Sequence, residues 1–202
     1  MSARTTAPLI ATILVAAQPS LAQSMTADPN KWRPVVYADL QLPNEQALPY
    51  ASLWADELKK NNDAYAARGD KRWIVANAPA AESHVVIRSP ERTVVLSVLH
   101  TITACKPIRS DKPANATLKS CPMRVAIYRD GKSSVSDAGR GCFIEYGART
   151  DGGEPDMVRN ASLTSYDTAS RTIRAGVVFA GQAVDECQFH VAVPRPREEN
   201  SR

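Results

Sequence analysis

Four cysteines, Cys105, Cys121, Cys142 and Cys187, are the residues whose chemistry can be read most directly from the sequence. Thiolates can attack, bind zinc or pair with each other. No close Cys-x-x-Cys pair is present to seed a zinc site. The compartment then decides between free thiols and disulfides. Residues 1–22 have the three parts of an export signal: a basic start at Arg4, a short apolar run over Ala7–Ala17, and Ser20-Leu21-Ala22 with small residues at −3 and −1 of a cut before Gln23. The apolar run is shorter than the ~20 residues a bilayer span needs. No cysteine follows the cut, so lipoprotein processing is not expected. An even cysteine count in an oxidising compartment predicts two disulfides.

Four cysteines allow three pairings. We favour Cys105–Cys121, closing the polar stretch between them, together with Cys142–Cys187. The rival joins Cys121 to Cys142 across a turn at Asp130-Gly131 and leaves Cys105 with Cys187. The favoured pattern carries a tension: Cys142 and Cys187 both stand near expected strand starts, whereas antiparallel neighbours meet start to end.

The three histidines, His84, His100 and His190, are far apart in sequence. There is no His-Glu-x-x-His helix, no Gly-x-Ser-x-Gly elbow and no P-loop. His100 falls in register with Val94, Leu96, Val98 and Ile102, which reads as a hydrogen-bonded core or inter-sheet position. His190 shares a face with Gln188 and reads as exposed. Acid-rich Thr150–Asp156, with Asp151, Glu154 and Asp156 around two glycines, has hard oxygen ligands but not EF-hand spacing; an ordinary turn is the simpler reading. Two sequons, at Asn115 and Asn160, carry no assigned role. No metal or cofactor is expected.

The stretch from Cys105 to Arg124 is lopsided in charge. It holds Lys106, Arg109, Lys112, Lys119 and Arg124 against Asp111 alone. Read as a basic loop on a disulfide base, these five could contact an anionic partner: lipid phosphates, an envelope polymer or an acidic protein face. The rest of the chain is nearly balanced. Beyond residue 22 there are 24 Lys and Arg against 21 Asp and Glu, which does not supply the basic stripe that nucleic acid requires.

The elements that would position these residues follow from periodicity. Residues 23–48 read as an extended arm broken by Pro29, Pro34 and Pro43. Residues 49–69 read as a helix with Pro49 in its first turn, Gly69 as its stop, and an apolar stripe of Tyr50, Leu53, Trp54 and Leu58. That stripe either packs on the domain or docks a partner. Residues 70–194 read as short strands: Trp73–Val75, His84–Ile87, Thr93–Cys105, Met123–Tyr128, Ser133–Asp137, Cys142–Tyr146, Ser162–Tyr166, Thr172–Phe179 and Cys187–Val193. Residues 195–202 read as a loose tail. The fold expected is mainly β: an antiparallel β-sandwich or barrel with one N-terminal α-helix and an extended N-terminal arm.

The function expected is an exported, soluble, non-catalytic protein of the bacterial periplasm or envelope, binding another envelope component or serving as an accessory subunit. Two other classes stay open. A secreted hydrolase with a dispersed site would place His100 or His190 beside an acid in a concave pocket. A small-ligand or carbohydrate-binding module would show a groove lined by aromatics.

Overall fold

Thr93–Thr101 is nearly continuous in β-branched and apolar residues, and it forms the central strand of the larger sheet. The computed structural model describes residues 32–41, 50–69, 77–111, 115–147 and 156–193. In chain order these form β1 (Arg33–Pro34), β2 (Val36–Asp39), a 3-10 turn (Ala51–Trp54), α1 (Ala55–Ala67), β3 (Ala80–Arg88), β4 (Thr93–Thr101), β5 (Lys106–Asp111), β6 (Ala116–Arg129), β7 (Lys132–Tyr146), β8 (Ala161–Asp167), β9 (Thr172–Phe179), β10 (Gln182–Ala183), a second 3-10 turn (Asp185–Cys187) and β11 (Phe189–Ala192). Two antiparallel sheets result. Sheet A holds β1, β8, β9, β10 and β11; sheet B holds β2 to β7. The fold is thus mainly β and sandwich-like, as expected.

The arm contributes to both sheets. β1 pairs with β8 and, one residue later, β2 pairs with β3. Tyr37 of β2 adds a cross-sheet hydrogen bond from its hydroxyl to Ser162 Oγ, 3.1 Å away.

The apolar stripe of the helix packs on sheet B. Leu53, Trp54 and Leu58 are buried against Ala80, Val95, Leu99 and Ala126. Gly69 ends the helix with φ +81°, a conformation that only glycine adopts cheaply. Asp56 and Glu57 occupy the first turn, where negative charge suits the helix dipole. Beneath the helix lies a buried polar chain. Trp54 Nε1 donates to Ser97 Oγ, and Ser97 donates to Glu82 Oε2 at 2.6 Å. Val94, Leu96, Val98, Met123 and Val125 form a second core with Ile173 and Val193. Leu118, Cys142 and Ile144 continue it against Val177, Phe179 and Val184. Among the described residues no helix is long and apolar enough to cross a membrane.

Both favoured disulfides are present. Cys105 and Cys121 lie 4.4 Å apart at Cα. β4 and β5 run end to end along one edge of β6, and Cys105 sits in the gap between them, opposite Cys121. Cys142 and Cys187 lie 5.5 Å apart at Cα and join sheet B to the 3-10 turn ahead of β11. This resolves the strand-direction tension: the bond runs between sheets, so ladder direction does not constrain it.

The structure corrects several boundaries. Ser133–Asp137 and Cys142–Tyr146 are one strand, β7, carried past a bulge where Pro122 faces Arg140 but Arg124 faces Asp137. Gly139 sits in that bulge with φ +84°. The basic stretch is no loop: β5 and the first half of β6 form a hairpin, and the expected strand Met123–Tyr128 begins earlier, at Ala116, with Cys121 inside it. Alternation of buried Ala116 and Leu118 with Thr117 and Lys119 is the strand signal there. The strong strand stops at Thr101 and turns over residues 102–104. Asp130-Gly131 is the two-residue turn expected, both residues with positive φ. Trp73–Val75, the tail and most of Thr150–Asp156 lie outside the described residues.

Candidate functional site

The basic residues do not gather into one patch. Arg124, opposite Ser97 on β6, points to the helix side. There it makes two hydrogen bonds to Asp56, at 2.7 and 2.8 Å, and a third to the Leu53 carbonyl. Its guanidinium lies 4.5 Å over the Trp54 ring. Arg124 therefore clamps the helix to the sheet. That pairing holds the Asp56 carboxyl at about 2, below the usual carboxylate range. Arg109 reaches Glu186 at 3.3 Å on the exposed surface. Lys106 is exposed on β5, and Lys112 lies outside the described residues.

Lys119 alone enters a cluster. It donates to Glu145 and lies 3.0 Å from His100 Nε2. Glu145 Oε1 is 3.4 Å from the same histidine nitrogen. The imidazole stacks on Phe143, with ring centroids 4.8 Å apart. Burial, and next the Lys119 ammonium, push the His100 imidazole down to about 4, against the opposing pull of Glu145. It is neutral near pH 7, with Nε2 facing the lysine.

These groups line an open groove of about 440 Å³. β2, the end of α1 and the end of β7 form its walls. Tyr37, Tyr65, Phe143 and Tyr146 supply aromatic surface, and Asp39 and Gln41 add polar groups at the arm. Tyr37 and Phe143 meet edge to face at 5.5 Å. Burial raises the Tyr37 and Tyr146 phenols above their ordinary range. Tyr146 also donates to the Asn160 carbonyl, fixing one wall.

Of the residues singled out in the sequence, the fold brings together His100 and Lys119. It adds Glu145 and the tyrosines, which sequence reasoning missed. Phe143 and Glu145 alternate within an expected strand, a signal for a shared face; which partners that face meets depends on the β6–β7 register. His190 is exposed on β11 across from Arg174 and does not line the groove. His84 is buried beside Glu82, 3.3 Å away, under the Tyr50 ring. The Asn160 side chain is also fully buried, holding the Asp156 carbonyl and the Ala180 N–H. Among the described residues no group of three or more His, Cys, Asp and Glu is placed to hold a metal.

The arrangement offers a neutral imidazole, one cation and two carboxylates, Glu145 and Asp39, beside aromatic rings. It suits hydrogen bonding and ring stacking with a polar ligand. The comparisons with family models, curated proteins and solved structures find no match to this chain.

Proposed function

We propose that this protein is exported to the bacterial periplasm or envelope, where it binds a glycan-type envelope polymer without transforming it. The export signal over residues 1–22 and the two disulfides support that address. The observation that carries the binding reading is the open groove. It pairs aromatic surface from Tyr65 and Tyr146 with the hydrogen-bonding groups of His100, Lys119 and Glu145. Sugars are held by such mixtures: C–H faces lie on rings while hydroxyls bridge charged and neutral groups. Lys119, one of the five basic residues of the hairpin region, is the member of that set that reaches this site.

Titration calorimetry with soluble envelope glycan fragments and neutral oligosaccharides tests the reading. We expect binding that Tyr65→Ala and Glu145→Gln each weaken about tenfold, the loss of one good contact. An absence of heat across the panel, or unchanged affinity in both variants, would reject it.

A hydrolase is the second reading, favoured by one contact: His100 beside Glu145 in a concave groove. Lys119 on Nε2 and a depressed imidazole weigh against a general base near neutral pH. Turnover of the same glycan panel, lost in Glu145→Gln, would replace binding with catalysis.

A further inference from the structure

A second cavity, larger than the groove, lies elsewhere. A cleft of about 810 Å³ opens between the sheets where β3 ends and β8 turns into β9. Its volume is in the range of small-molecule sites. Val85 and Ile87 of sheet B and Tyr166 and Ile173 of sheet A form its apolar walls, continuous with the inter-sheet core. Around it stand Arg33, Arg88 and Arg174, all exposed, against one acid, Asp167. Arg174 and Asp167 are 3.8 Å apart and offset each other. Arg33 and Arg88 make no ion pair with any described residue. They come from β1 and from the end of β3 that extends beyond its pairing with β2, so both stand at the rim of this cleft once the arm is docked on sheet A.

Two guanidinium groups with no ion pair among the described residues, beside an apolar hollow, call for a ligand with one anionic end and one greasy end. We propose that this cleft binds a small anionic amphiphile: a carboxylate or phosphate head on an acyl chain, the head on Arg33 and Arg88 and the chain between the sheets. Guanidinium forks suit both head groups, since two parallel N–H donors match two oxygens. Burying each CH₂ of the chain should raise affinity roughly fourfold, so affinity should rise with chain length as well as with charge. This site is separate from the glycan groove, and either can fail without the other.

The test compares decanoate, decyl phosphate, decanol and inorganic phosphate by calorimetry on the whole protein, below the micelle concentration. Decanoate or decyl phosphate should bind at least tenfold more tightly than decanol and than inorganic phosphate. The double variant Arg33→Ala/Arg88→Ala should lose at least tenfold for the charged amphiphiles while keeping its melting temperature. Ile87→Asp, placing a like charge in the wall, should abolish their binding; thermal melting confirms that it is folded. Equal binding of decanol would remove the arginines from the site. Equal binding of inorganic phosphate would remove the apolar wall. No binding by any of the four, or undiminished binding by the double variant, would overturn the proposal.

Discussion

Trp54 and Ser97, 43 residues apart, are joined by a hydrogen bond of 2.8 Å at the boundary between the helix and sheet B. The bond fixes how far the helix can slide, because Ser97 passes the restraint to the buried carboxyl of Glu82. Trp54→Phe keeps most of the ring but removes the donor and weakens the stacking of Arg124. We expect a loss of about 2 kcal/mol, read as a lower urea midpoint with an unchanged slope.

Gly141 is packed closely against two side chains of sheet B. A Cβ there would stand 2.8 Å from Val98 Cγ2 and 3.2 Å from the Met123 sulfur. Gly141→Ala should destabilise by about 1–3 kcal/mol through overpacking. Gly141→Ala combined with Val98→Ala should recover part of the loss, since the clash is with that one methyl. Urea unfolding of the single and double variants measures both.

Acid should act in two steps. The folded-state pKa of His100 is depressed, so its contribution is intact above the unfolded value of ~6.5 and is lost as pH falls toward about 4. Asp56 is also depressed, for a different reason: its hydrogen bonds with Arg124 favour the charged form. Its contribution is intact above ~4 and fades toward about 2. Thermal melts from pH 7 to pH 2 should show both declines. His100→Gln should flatten the first and leave the second; Asp56→Asn should do the reverse.

The two disulfides should differ in worth. The chain-entropy model gives about 3 kcal/mol for the 16-residue separation of Cys105–Cys121 and about 4 for the 45-residue separation of Cys142–Cys187. Replacing each pair with alanine and comparing urea midpoints orders them. The Cys142–Cys187 deletion should also loosen the packing of Leu118 and Ile144 on Val177 and Phe179, visible as faster amide exchange there.

Local features were legible from the sequence wherever a few neighbouring residues decide them. The stripe Tyr50, Leu53, Trp54 and Leu58, the stop at Gly69 and the turn at Asp130-Gly131 each follow from periodicity or from one backbone requirement. The site was not legible in that way. Lys119 and Arg124 stand in one basic run, yet the fold gives them to opposite tasks: one meets His100 and Glu145, the other clamps the helix. That division comes from strand pairing and side-chain alternation, which charge counting does not see. Fusion of two expected strands into β7 was hidden by Gly139 and Gly141, which look like turn residues and serve as a bulge and a close approach. Arg33, Arg88 and Arg174 are isolated in sequence, and only the fold sets them around one cleft.

The arm has a consequence for the order of events during synthesis. Arg33 pairs with Thr164, 131 residues later, and Tyr37 reaches Ser162. A chain made or threaded from its N-terminus delivers the arm first and its β8 partner near the end. The earliest strand must therefore wait, with its backbone groups unpaired, until almost the whole protein has emerged. Long-range closure of this kind slows folding. It leaves β1 open to a chaperone, a protease or a neighbouring molecule in that interval, while β2 can already pair with β3.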